Sequence, residues 1–125
     1  MYAFLAVGSG AAIGAWLRWG LGALFNPVFP TLPLGTLAAN LFGSLLMGLV
    51  LGFMSQIQAL PPEVRLAVAT GFLGALTTFS TFSAETVTLI GRGQWGWAMA
   101  AIGLHVAGAL TMTGIGLAIA YAIKH

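Results

Sequence analysis

The chain has no cysteine, which excludes disulfides and thiol chemistry. Charge is scarce: of 125 residues, four are Lys or Arg and two are acids. Charged residues make up 5% of the chain, against about 25% in an ordinary soluble domain. The basic residues are scattered singly, so the net charge of +2 defines no nucleic-acid surface. No nucleophile–base pair, no His/Cys/Asp/Glu cluster at metal-ligand spacing and no phosphate loop is present. Glu63 and Glu85, the two acids, are too far apart along the chain to pair. The chain therefore reads as a non-enzyme. It has no internal repeat, low-complexity tract or second domain, and residues 1–125 read as one transmembrane domain.

What is present is apolar, at 59% of residues. No charged residue lies between Trp19 and Pro62, or between Gly93 and Ile123 if histidine is neutral. A membrane helix takes about 20 apolar residues, so each gap has room for one. The N-terminal run lacks a preceding basic region, and Arg18 and Trp19 follow it in place of a small-residue cleavage site. It reads as a retained first span over residues 3–24. Gly10 and Gly14 form a small-xxx-small pair there, which admits a close neighbour. Arg18 either stretches outward to headgroups or gathers anions at an aqueous entrance.

Asn26, Pro27, Pro30 and Pro33 break the helix into a loop. The second helix is expected over residues 35–56. Asn40, Ser44, Gly48 and Gly52 recur every four residues and share one small, partly polar face. Asn40 serves as interhelical glue or as pore lining. Pro61, Pro62 and Glu63 signal the third start, with helix over residues 64–90. An interruption is expected near Gly74 to Thr78, an unbroken helix being the alternative. Gly91, Arg92 and Gly93 make a turn. Trp95 and Trp97 suit the interfacial aromatic belt, and the fourth helix runs over residues 95–123, closed by Lys124 and His125. His105, inside that span, is a functional candidate or a neutral histidine bonded to a neighbouring helix.

Residues 70–88 organise the rest. Five of the seven residues from Thr77 to Ser83 are Thr or Ser, interleaved with Phe79 and Phe82. With helix from Thr78 onward, Thr78, Thr81, Glu85 and Thr88 fall on one face, a polar rail about 15 Å long. Hydroxyls donate hydrogen bonds, and phenyl rings have positive edges. Without a fixed cation, such a rail suits an anion that binds and also leaves. The competing reading is that hydroxyls bond to their own backbone and the rings only pack. Glu85 is costly in lipid unless hydrogen-bonded, protonated or relaying protons.

Four spans put Arg65 and Lys124 on one side, and Arg92 and, if it reaches out, Arg18 on the other. Orientation normally follows a Lys/Arg excess, and here there is none. The balance predicts insertion both ways round and an antiparallel homodimer.

The run from Gly71 to Glu85 resembles the signature of the Fluc (CrcB) fluoride ion channels. Residues 14–19 and 35–44 resemble that family's first- and second-helix motifs. The resemblance implies an all-α integral membrane protein of the bacterial plasma (inner) membrane. It would have four spans with a broken third helix, assembled as an antiparallel dual-topology homodimer. The implied activity is fluoride-selective leakage out of the cell. In such a channel Phe79 and Phe82 match the pore aromatic pair, and Asn40 matches the pore asparagine. Ser80, Thr81 and Glu85 match the polar track, and Arg18 the vestibule arginine. Backbone carbonyls of Gly74 and Thr77, from both subunits, match a central Na+ site. Ala75 replaces a common second glycine at the break, and Ala109 replaces a common serine. Two rivals stand beside this reading. A proton-coupled multidrug exporter would need a carboxylate in the first helix, which is absent. A membrane assembly factor would need a docking domain or charged tail, also absent.

Overall fold

The computed structural model describes residues 2–124, and the expected role of His125 lies outside them. The described residues are helical throughout, apart from short connections. Helix α1 is Tyr2–Phe25, α2 is Leu34–Gly52 and α3 is the short Met54–Gln58. Residues 62–76 form α4, Phe79–Gly91 form α5 and Trp95–Lys124 form α6. Three segments are long and apolar enough to cross a membrane: Leu34–Gly52, Pro62–Gly91 and Trp95–Lys124. Glycine, Ser9, Arg18 and two tryptophans dilute the first helix, which is not among them.

Two boundaries depart from the sequence reading. The second helix stops at Gly52 rather than continuing to residue 56, because Phe53 leaves helical geometry (φ −103°, ψ 29°). Glycine's low helix propensity weakens that end. In the third segment Gly74 stays helical. Thr77 (φ −88°, ψ 152°) and Thr78 (φ −148°, ψ 118°) are extended instead. Upstream, Leu66–Leu73 has wide π geometry.

Glycines set how closely the helices approach. A Cβ on Gly10 or Gly14 would overlap the backbone of Ala67 or Phe72, so α1 lies backbone to backbone on α4. On α2, a Cβ at Gly48 would overlap the Thr113 carbonyl and sit 3.0 Å from the Gly116 Cα. The small face predicted for the second helix therefore packs on α6, and with it Asn40 is carried toward His105. Ala39, Leu73 and Leu76 form one buried cluster, and Leu32, Leu89, Ala98 and Ala101 another. Many large apolar side chains stay outward, including Trp16, Trp19, Leu110 and Ile123. An exposed apolar surface of that extent needs lipid or another copy to cover it.

Candidate functional site: the break between α4 and α5

Leaving helical geometry at Thr77 and Thr78 strands polar backbone groups that lipid cannot satisfy. The chain supplies partners from α1 and α2 as well as from the broken segment itself. Thr77 N–H and its hydroxyl both donate to Leu73 O, at 3.2 and 3.0 Å. Arg18 Nε on α1 donates to Ala75 O at 2.9 Å. On α2, Asn40 Oδ1 accepts the Thr78 N–H at 2.7 Å, and Asn40 Nδ2 donates to Thr78 O at 3.0 Å. Thr78 also caps α5, its Oγ1 accepting the Thr81 N–H at 3.1 Å. A threonine oxygen at that position satisfies one orphan donor of the new helix.

Arg18 is thereby tied to the protein through Nε, by a partner the sequence did not indicate. It is half-buried and caps the last turn of α4, where a cation is favoured by the helix dipole. With Asn26, Thr36, Thr78 and Thr81 it also lines a cavity of about 250 Å³.

Starting α5 at Phe79 sets the two rings. Phe79 is 77% exposed and Phe82 only 7%. They meet edge to face, with centroids 5.6 Å apart at 71°. Phe82 also stacks on His105 of α6, centroids 4.5 Å apart at 29°. Both phenylalanines, Asn40, Thr77 and His105 line a cavity of about 330 Å³, together with Ser44 and Ala109. Ala109 presents a methyl group where a serine would have offered a hydroxyl.

The polar rail divides. Thr81 and Glu85 line a cavity of about 300 Å³ that extends to Thr88 and Arg92. Glu85 Oε2 accepts a hydrogen bond from the Thr36 hydroxyl at 2.7 Å. Asn26 Oδ1 in turn accepts the Thr36 N–H at 3.1 Å. Thr86 and Thr88 donate to the carbonyls of Phe82 and Ala84, at 2.9 and 2.7 Å, so both hydroxyls are spent on their own helix. Ser80 is exposed outside the ring-lined cavity, with its Oγ 3.4 Å from Thr78 Oγ1. Gly74 and Thr77 line a further cavity of about 240 Å³. Among the described residues their carbonyl oxygens accept no hydrogen bond.

Two participants were not foreseen, Thr36 and Asn26; His105 makes the bond to a neighbouring helix that was one of its two expected roles, and its partner is Asn40. Thr36 was accessible, since it sits four residues before Asn40 and extends the same face of α2 by one turn. Nothing in the sequence pairs Asn40 with a histidine 65 residues away.

Fold and site together define a helical membrane protein built around a polar, two-residue interruption with paired aromatic rings. Comparison with known proteins narrows this. A family model described as CrcB-like protein, camphor resistance (CrcB), matches residues 5–117. A protein of Aromatoleum aromaticum named fluoride-specific ion channel FluC is 60% identical over 116 residues, covering 93% of this chain and 88% of its own length. Proteins of the same name from Nitrosospira multiformis and Thiobacillus denitrificans are 58% and 55% identical. They cover 94% and 99% of this chain, and 91% and 98% of their own lengths. The chain belongs to the CrcB family.

Proposed function

We propose that this protein is a fluoride-specific ion channel that releases cytoplasmic fluoride down its electrochemical gradient. Its place would be the bacterial inner membrane, with four spans, the third of them broken at Thr77 and Thr78. The observation that carries the reading is the break itself. Asn40 closes its backbone, and the Phe79–Phe82 pair stands beside a cavity of about 330 Å³. Ring edges and hydroxyl hydrogens replace water around a small halide without a fixed cation to trap it.

A second, antiparallel copy is the natural cover for the outward parts of this site. Phe79 cannot line a corridor while its ring is exposed. Thr70 and Gly74 before the break and Ser80, Ala84 and Val87 after it are exposed too. They form a mostly small face on which another copy can approach closely. The bare carbonyls of Gly74 and Thr77 suit a hard cation, which takes oxygen ligands, and two copies would supply four such oxygens to a Na+ ion. Its charge would offset part of the cost of nearby anions. Thr81, Ser80 and Glu85 would continue the path outward, Glu85 being held by Thr36.

The direct test loads purified protein into liposomes and follows efflux with a fluoride electrode. Fast fluoride efflux with little chloride efflux is expected; equal leakage of both halides refutes the reading. Phe82→Ile removes the ring edge and the stack on His105. Efflux should slow by about tenfold, the equivalent of one lost favourable contact, while the dimer persists on size-exclusion chromatography. Thr88→Val should change efflux by less than about twofold, because that hydroxyl already serves its own helix. A large loss there would mean that the hydroxyl turns to the ion.

A further inference from the structure

A dehydrated anion in the cavity beside Phe82 needs hydrogen-bond donors, and most of those in its wall are already committed. Both hydrogens of Asn40 Nδ2 are used, one on Thr78 O and one on His105 Nδ1, each at 3.0 Å. The Thr77 hydroxyl goes to Leu73 O and the Thr78 hydroxyl to Thr81 Oγ1. The Thr78 N–H goes to Asn40 Oδ1. Val106, Ala109 and Leu110 contribute only carbon. Two side-chain donors of the wall remain: the Ser44 hydroxyl and His105.

Which nitrogen of His105 carries the proton follows from the break. Thr78 offers an N–H and a C=O to the same amide, so Asn40 must present its oxygen to the first and its nitrogen to the second. Turning the amide over would set N–H against N–H and oxygen against oxygen. The remaining hydrogen of Asn40 Nδ2 then points at His105 Nδ1, which must be the unprotonated nitrogen of a neutral ring. The proton sits on Nε2. That atom is buried and has no partner among the described residues, in a side chain that is 4% exposed. An unpaired buried donor is costly, and the ring that carries it lines the cavity against Phe82.

We propose that His105 Nε2–H is a hydrogen-bond donor to the fluoride ion as it passes Phe82, with its tautomer set by Thr78 through Asn40. The inference rests on the channel reading above. Nε2 is closed to water in the resting chain, so a fluoride ion, close to water in size, meets it only once the Phe82 ring stacked on His105 turns aside. The donor then has no bound water to shed, which is the advantage of a preorganised polar group. It also supplies a donor close to where Ala109 lacks one.

The first test needs no ion flux. Protein carrying 15N-labelled histidine, in lipid, is examined by solid-state NMR. His105 should show its proton on Nε2, and that resonance should move with added sodium fluoride but not with sodium chloride. A proton on Nδ1, or an Nε2 resonance unmoved by fluoride in protein that conducts it, overturns the proposal. The second test compares variants in liposomes. His105→Phe keeps the stack on Phe82 and removes both nitrogens; fluoride efflux should fall by about tenfold, the equivalent of one hydrogen bond. His105→Gln returns a donor near the Nε2 position and should recover much of that loss. Full activity of His105→Phe, or a glutamine variant no better than the phenylalanine one, overturns it. Wild-type protein that fails to conduct fluoride at all would instead strike the channel reading, leaving the proton's position on His105 as a separate result.

Discussion

Replacing Asn40 by leucine should abolish fluoride efflux, by at least about a hundredfold, and destabilise the fold. Asn40 is the one side chain that satisfies both backbone groups of Thr78, at 2.7 and 3.0 Å. Leucine fills similar space but leaves a donor and an acceptor unpaired in a membrane interior. Each such loss costs about 1–3 kcal/mol, so the break is expected to relax toward helix or to admit water. Either outcome moves Phe79 and Phe82, whose positions depend on α5 starting where it does. Asn40→Asp keeps the acceptor for the Thr78 N–H and forfeits both donors, and should fall between leucine and the native protein. Liposome efflux measures the first effect, and chemical denaturation in mild detergent the second. Near-native efflux from Asn40→Leu would mean that the break holds without the amide and that Asn40 only joins helices.

The second large effect is expected at Gly48, which lines none of the cavities described above. A side chain there would run into the Thr113 carbonyl, with Thr113 C at 2.9 Å and the Gly116 Cα at 3.0 Å. Only backbone lies opposite, so nothing flexible can yield. Gly48→Leu must therefore separate α2 from α6, the pair that carries Asn40 and His105. Overpacking costs about 1–3 kcal/mol when side chains can shift, and the upper end applies here. The expected result is a lowered denaturation midpoint and lost efflux together. Gly114→Leu, on the partner helix α6, is the control, since no neighbouring atom lies within 4 Å of a Cβ built there. It should leave both unchanged. If Gly48→Leu behaves like that control, the close approach of α2 and α6 does not hold the site together.

The helical, membrane-embedded character of the chain was legible from composition alone. So was the importance of residues 70–88, because a run of hydroxyls inside an apolar sequence stands out. Arg18 and Glu85 were singled out too, for carrying charge where charge is rare. Their partners were not legible. Arg18 meets a carbonyl 57 residues away, Glu85 a hydroxyl 49 residues away and Asn40 a backbone 38 residues away.

Residue types and their short-range spacing therefore determined that this is a bundle of apolar helices with one polar stretch, where an interruption was expected. Only the tertiary structure decided where that interruption falls, that Arg18 caps it, and that Asn40 ties it to His105. The physical reason is one of range. Helix formation and lipid solubility depend on residues within a few turns of one another. A hydrogen bond between helices depends on how backbones nest, which here is set by glycine-to-backbone contacts whose partners a linear pattern does not name.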